Sequence, residues 1–457
     1  MMYILHENMY IIRFSNDFII NRQNIVRLLS KLFNYLDEKN AIIFLSKLKV
    51  ENMNLYLLLN ILGLFVFILV AYLFSRDRKN INWKAVAVML VVNLFLAWFF
   101  TQFPWGRTAV KAVADGFSWM LQAAYVGIGM PFGSWTAPGP GKMDMAVSAL
   151  LPILFVVPLF DILMYIGVLP FIIKWVGWLI SKVTGQPKFE SFFSVEMMVL
   201  GNTEALAVSN AQVREMSPAR VLTIALMSMS CISGSIVGAY VTMVPGELVL
   251  TAIPLNIINA IIIATILNPV RITPEEDYVV EIKNETRQPF FSFLGDSVLG
   301  AGKLILIIIA FLIAFVSLAH FIDMLLSLTD RFTGMEIRLS TILGLIMAPF
   351  AMLLGLPWNE AVTVGGHMAT KIVTNEFVVM IGIQDALKTM PEHMKAVLVT
   401  FLISFANFST VGMIIGTLKG IVDIKTSDFV SKYVPMMLLA GILVSLLSAA
   451  FVGLFVW

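Results

Sequence analysis

Two short stretches hold the side chains able to do chemistry. Gly201-Asn202-Thr203-Glu204-Ala205 places an amide, a hydroxyl and a carboxylate after the apolar run Met197-Met198-Val199-Leu200. Lys371-Ile372-Val373-Thr374-Asn375-Glu376-Phe377 repeats that chemistry about 170 residues later. A carboxylate accepts from a vicinal diol through two oxygens, and an amide both donates and accepts. Glu376, with Asn407 and Thr410, is suited to hold a ribose; Asn202, Thr203 and Glu204 are suited to face the donor and acceptor edge of a heterocycle. In a dehydrated site an unmatched polar group costs about 1–3 kcal/mol, which discriminates against molecules lacking those hydroxyls. On these grounds alone the chain reads as a transporter for a small polyhydroxylated solute.

The elements that must position these groups belong to a membrane. The chain is 59% hydrophobic and 13% charged, with mean hydropathy +0.88. Soluble domains carry charge near about 25%, so the fold class is an all-α polytopic membrane protein. An ionisable residue at bilayer depth costs roughly 2.5–3.5 kcal/mol on insertion scales and marks a substrate or ion pathway. A net charge of +2 gives no case for nucleic acid as a partner. One cysteine, Cys231, excludes an internal disulfide, and four histidines without metal-pair spacing argue against a metal enzyme.

Along the chain, residues 1–52 differ from the rest and read as an N-terminal extension outside the native chain, which would start near Met53. Residues 53–145 carry spans near 54–75 and 84–103 and an amphipathic interfacial helix over 107–128, its apolar face formed by Val110, Val113, Phe117 and Leu121. The loop after the first span holds Arg76, Arg78, Lys79 and Lys84 and is therefore cytoplasmic. Residues 131–142 form a Pro/Gly loop, and 171–184 another interfacial piece. The first half, 146–270, contains a span near 146–170 with Asp161, spans over 218–243 and 247–269, and between them two apolar pieces broken at Gly201-Asn202-Thr203. Each piece is too short to cross, since a span needs about 20 residues, so 189–213 reads as a re-entrant hairpin with its tip facing a polar cavity. A charged loop over 271–298 separates the second half, 299–457, where 358–386 repeats the hairpin around Thr374-Asn375-Glu376. A small-polar break follows each hairpin, at Ser233-Gly234-Ser235 and Asn407-Phe408-Ser409-Thr410. That is the trace of an inverted-repeat transporter whose discontinuous helices meet near the midplane. Asp161 reads more simply as a helix-end or capping group than as a proton carrier.

Several segments in order resemble the concentrative nucleoside transporters from about Met53 to the C-terminus: Gly201-Asn202-Thr203-Glu204-Ala205, Gly234-Ser235, Gly238-Ala239-Tyr240, Pro357-Trp358, Thr370-Lys371, Asn375-Glu376-Phe377-Val378 and Phe405-Ala406-Asn407-Phe408-Ser409. The resemblance implies eight transmembrane helices, two re-entrant hairpins and an interfacial helix per protomer, a homotrimer, and an elevator mechanism. It implies a cation-coupled nucleoside symporter of the cytoplasmic (inner) membrane, with no enzyme activity and no cofactor beyond the coupling ion. Asn202, Thr203, Glu204 and Ile236 fall at the family's nucleobase positions, and Glu376, Phe405, Asn407 and Thr410 at its ribose positions. The sodium-ligand positions of sodium-coupled members fall on Met197 and Cys231. Thioether and thiol are soft ligands for a hard ion, so proton coupling is expected over sodium, with Glu204 or Glu376 as first carriers and Glu196 and Asp161 behind them. The alternatives are a carrier for nucleobases or another ribose-like solute, an intramembrane nucleoside hydrolase using the paired carboxylates, and a receptor without flux.

Overall fold

Apolar runs with no strand-like alternation leave the backbone to satisfy itself inside helices, as a bilayer requires. A computed structural model describes residues 38–133, 144, 146–273, 275–279, 288–333 and 338–457, with side chains from residue 55 on except at 311, 315, 329–333 and 340. All regular structure among the described residues is helical. The chain divides into two units, Met1–Leu55 and Tyr56–Trp457; of the first, only helical backbone from residue 38 is described. The extension expected over 1–52 lies largely outside the described residues, as does most of the loop 131–142.

The helices are α1 (Glu38–Leu73), α2 (Trp83–Thr101), α3 (Pro104–Gly129), α4 (Ile153–Tyr165), α5 (Val168–Thr184), α6 (Lys188–Leu200), α7 (Asn202–Val208), α8 (Asn210–Glu215), α9 (Pro218–Ser228), α10 (Gly234–Tyr240) and α11 (Gly246–Leu267). They continue as α12 (Phe290–Thr333), α13 (Leu339–Met352), α14 (Trp358–Val373), α15 (Glu376–Ile383), α16 (Glu392–Leu402), α17 (Phe408–Ile421), α18 (Ile424–Ser431) and α19 (Val434–Gly453). A π-helical turn over Ala146–Leu150 leads into α4. Among the described residues six segments are long and apolar enough to cross a membrane: Leu55–Leu73, Trp83–Thr101, Ala146–Tyr165, Gly246–Leu267, Phe290–Leu328 and Val434–Gly453.

Three expectations change. The segment 218–243 is not one span: α9 ends at Ser228, irregular chain follows, and Ser233 caps α10 by accepting from the Ser235 N–H. The helix gives way where Ser228 Oγ donates back to the Ile224 carbonyl and Ser233 turns to cap α10. The charged loop is shorter than 271–298, because α12 begins at Phe290. The buried stripe of α3 runs through Gly106, Val110, Ala114, Leu121, Ala124 and Ile128, while Val113 is exposed. Arg107 and Lys111 lie on the exposed side.

Helices α11 and α19 form the centre, buried along most of their length. A polar network links them to α2: Asn93 Nδ2 donates to Asn259 Oδ1 at 2.7 Å, Asn259 Nδ2 to Ser448 Oγ at 2.9 Å, and Ser448 Oγ to Asn256 Oδ1 at 2.6 Å. Buried amides paired in this way fix helix register instead of paying for desolvation. At the Arg76 end of the molecule, Arg220 on α9 grips Glu190 on α6 through two bonds of 2.6 and 3.0 Å, both side chains buried. Removing one partner of such a pair costs about 3–5 kcal/mol, so this contact holds the base of the first hairpin.

Candidate functional site

The first hairpin turns at Gly201, whose φ of +102° suits glycine. A Cβ there would also meet Glu204 Oε2 at 2.9 Å and Ser233 Cβ at 3.1 Å. The tip is held by Asn202, which is buried: its Nδ2 donates to the Ser228 carbonyl at 3.3 Å, and its Oδ1 accepts from the Thr203 N–H at 2.8 Å. The amide thus satisfies a carbonyl left over at the end of α9. Thr203 Oγ1 donates to Glu204 Oε2 at 2.8 Å, and Glu204 is exposed.

The second hairpin breaks between α14 and α15, where Asn375 caps α15 by accepting from the Val378 N–H at 3.1 Å. Glu376 opens α15, so its carboxylate sits at the positive end of that helix dipole. It is buried. Tyr240 Oη on α10 donates to Glu376 Oε1 at 2.8 Å, and Asn407 Nδ2 donates to Oε2 at 3.3 Å. Asn407 also caps α17, its Oδ1 accepting from the Thr410 N–H at 2.9 Å, Thr410 Oγ1 at 3.0 Å and Ser409 Oγ at 2.7 Å. Phe405 is half-buried just before it, its carbonyl accepting from the Asn407 N–H at 2.8 Å.

These contacts cross between the halves. Tyr240 belongs to the first half and Glu376 to the second, and their bond is backed by an edge contact between the Tyr240 and Phe377 rings at 5.1 Å. Helix α7 packs on α17, and Ile236 lies one turn before Tyr240 on buried α10. Glu376, Asn407 and Thr410 therefore form one bonded cluster, and Asn202, Thr203 and Glu204 a second.

The two remaining carboxylates are engaged elsewhere. Glu196 is buried and accepts from Ser209 Oγ at 2.6 Å, joining the two arms of the first hairpin. Asp161 on α4 accepts from Ser297 Oγ on α12 at 2.5 Å and feels Glu204 electrostatically. A cavity of about 1020 Å³ opens beside α5, α6 and α8, lined by Lys174, Trp178, Phe189, Glu196 and Gln212 among others; none of the eight substrate candidates lines it. Met197 and Cys231 are both buried, and Met197 Sδ accepts from Ser228 Oγ at 3.4 Å. Ser230 Oγ, in the same break, is buried without a hydrogen-bond partner among the described residues. Among the described residues no group of three His, Cys, Asp or Glu is placed to hold a metal ion.

Two further residues, to which the sequence reading gives no role, join the site. Tyr240 was readable as a phenol in an apolar span, which must find an acceptor. Lys371 is a lone basic residue at bilayer depth, wholly buried on α14, its Nζ donating to Ser404 Oγ at 2.6 Å and Ser445 Oγ at 3.5 Å.

The sequence and the fold are both similar to those of known proteins. Residues 248–453 match the model described as Na+ dependent nucleoside transporter C-terminus, residues 62–135 that of the N-terminus, and residues 146–246 one described as nucleoside recognition. The chain is 45% identical over 403 residues to the purine nucleoside transport protein NupG of Bacillus subtilis, covering 88% of this chain and 100% of that one. It is 28% identical to the nucleoside permease NupC of Helicobacter pylori, over 87% and 98% of the two chains. Among solved structures it resembles CNTnw in an inward-facing substrate-bound state, with TM-score 0.81, 26% identity and coverage of 88% and 98%. A CNTnw variant in an outward-facing state gives TM-score 0.82 at 26% identity, covering 88% and 99%.

Proposed function

The chain belongs to the concentrative nucleoside transporter family, and on that premise we propose that it is a proton-coupled nucleoside symporter of the cytoplasmic membrane, taking purine nucleosides by an elevator motion. It is a multi-pass membrane protein of a transporter family and not an enzyme. The observation that carries the reading is the buried Glu376 carboxylate, fixed by donors from α10 and from the break before α17. Glu376, Asn407, Thr410 and Phe405 hold the ribose. Thr203, Glu204 and Ile236 face the base, with Asn202 organising the tip that presents them. The purine preference rests on the name of the Bacillus subtilis relative. Eight transmembrane helices follow if the broken pairs α9–α10 and α16–α17 each cross once, and the functional unit is a homotrimer.

Proton coupling is supported by the thioether of Met197 and the thiol of Cys231, soft groups for a hard ion. One proton moving down about 150 mV supplies about 3.5 kcal/mol, enough for accumulation of a few hundredfold. Glu204, exposed at the first tip, is the better-placed carrier, because Glu376 is engaged by two donors. Glu196 and Asp161 remain behind it, each engaged by one serine. A second reading, sodium coupling, is favoured by Ser230, whose buried oxygen lacks a partner among the described residues and is hard enough to ligate the ion. Uptake of radiolabelled adenosine and uridine into proteoliposomes decides between them. We expect adenosine accumulation under an imposed pH gradient and none under a Na+ gradient alone; the reverse result would establish the second reading.

A further inference from the structure

The hydrogen bonds to Glu376 leave its charge unanswered. Tyr240 and Asn407 are neutral donors, and at an effective interior dielectric an uncompensated carboxylate is costly. The charged group that acts on it among the described residues is Lys371, five residues earlier in the same hairpin, whose ammonium is bonded to Ser404, three residues before the Asn407 that donates to Glu376. Conversely, Glu376 is the charged group that acts on Lys371.

The surroundings of Lys371 are unusual for an ammonium. It is wholly buried on α14, and among the described residues no carboxylate oxygen lies within 4.0 Å of Nζ. Ser404, at the broken end after α16, and Ser445 on α19 accept from it, and Ser404 and Ser445 are bonded to each other at 2.6 Å. The ring of Phe401 covers it at 4.9 Å. Hydroxyls and a π face, not a close carboxylate, fix the ammonium at a set position.

We propose that Lys371 is the positioning residue of the ribose site: its ammonium, fixed by Ser404, Ser445 and Phe401, is the charge that balances Glu376 and keeps it an acceptor for substrate hydroxyls. The proposal rests on the reading of Glu376 as a ribose ligand. It adds that Glu376 is not the group that loads the coupling proton. The ammonium also ties the second hairpin to the break after α16, because Lys371 on α14 donates to Ser404.

The test is equilibrium binding of adenosine to purified full-length protein across about pH 6 to about pH 9, for wild type, Lys371→Met, Glu376→Gln and the double variant. The quantity read is the ratio of variant to wild-type Kd, which cancels titrations common to both. At neutral pH we expect Lys371→Met to raise Kd at least about thirtyfold. Without the ammonium, Glu376 takes up a proton in the variant. The ratio should therefore fall as pH rises, by up to about tenfold per unit. The double variant should bind no worse than Glu376→Gln. A ratio that is constant with pH, or a double variant clearly worse than Glu376→Gln, would overturn the proposal in favour of a purely structural lysine. If Lys371→Met does not fold, the Ser404→Ala/Ser445→Ala variant keeps the ammonium but frees it, and the same pH slope at smaller amplitude is expected; a flat ratio there counts equally against the proposal. Normal binding by Glu376→Gln alone would instead sink the ribose reading.

Discussion

The tips of the two hairpins carry nearly the same side chains and treat them differently. At the first, Glu204 is exposed and its carboxylate is bonded by its neighbour Thr203, and the amide of Asn202 is used on the backbone. At the second, Glu376 is buried and receives donors from two other elements, one of them in the opposite half of the chain. Preorganised donors cost nothing to orient when substrate arrives, whereas an exposed carboxylate must exchange water for its ligand. The difference points to a division of labour: a rigid side for the sugar that every nucleoside shares, and a wetter side for the base that varies and for the proton.

Substitutions can break that comparison, and they rank by how much of the rigid side they disturb. Glu376→Gln should do the most, lowering uptake at least about a hundredfold, since bonds to a charged acceptor contribute roughly twice those to a neutral one. Tyr240→Phe removes one donor and should raise KM about tenfold, equally for purine and pyrimidine nucleosides; an effect confined to one base class would undo the assignment of α10 to the sugar side. Glu204→Gln should change KM less, by a few fold, yet abolish accumulation driven by a pH gradient while sparing exchange of labelled for unlabelled nucleoside. Parallel exchange and gradient-driven assays on one preparation separate these outcomes.

The smallest effect is a control remote from both tips. Asp423 caps α18, and its carboxyl is held below the usual range by the backbone and side-chain bonds from Thr426. Because its folded-state value is depressed, its contribution to stability is fully present above the unfolded value and is lost as pH falls through the folded one. Asp423→Asn should thus leave uptake unchanged near neutral pH, and thermal melts of the two proteins should converge under acidic conditions.

Much of this division was legible before any coordinates. Glu204 and Glu376 stand out because a carboxylate at bilayer depth needs a reason, and the pieces around them are too short to cross. The caps at Asn375 and Asn407 were readable as polar residues opening apolar runs. What the pattern could not carry was the partner across the fold. Tyr240 lies 136 positions from the carboxylate it bonds, and no local periodicity links them. Lys371 stands in the second polar stretch itself, but the hydroxyls that hold its ammonium, Ser404 in the break after α16 and Ser445 on α19, are far along the chain and look like packing residues. The early start of α12 was hidden because Gly295, Asp296, Gly300 and Gly302 dilute its apolar pattern. The inward role of Asn202 followed from the unpaired Ser228 carbonyl, which exists only because α9 stops there.

The most direct test of the rigid sugar side is a comparison of adenosine with 2′,3′-dideoxyadenosine as competitors of adenosine uptake, for wild type and Glu376→Gln. The account predicts that wild type prefers the ribonucleoside by at least about thirtyfold and that the variant loses most of that preference, because the hydroxyls no longer meet an anionic acceptor. An unchanged preference in Glu376→Gln would contradict it, and would place the sugar elsewhere in the fold.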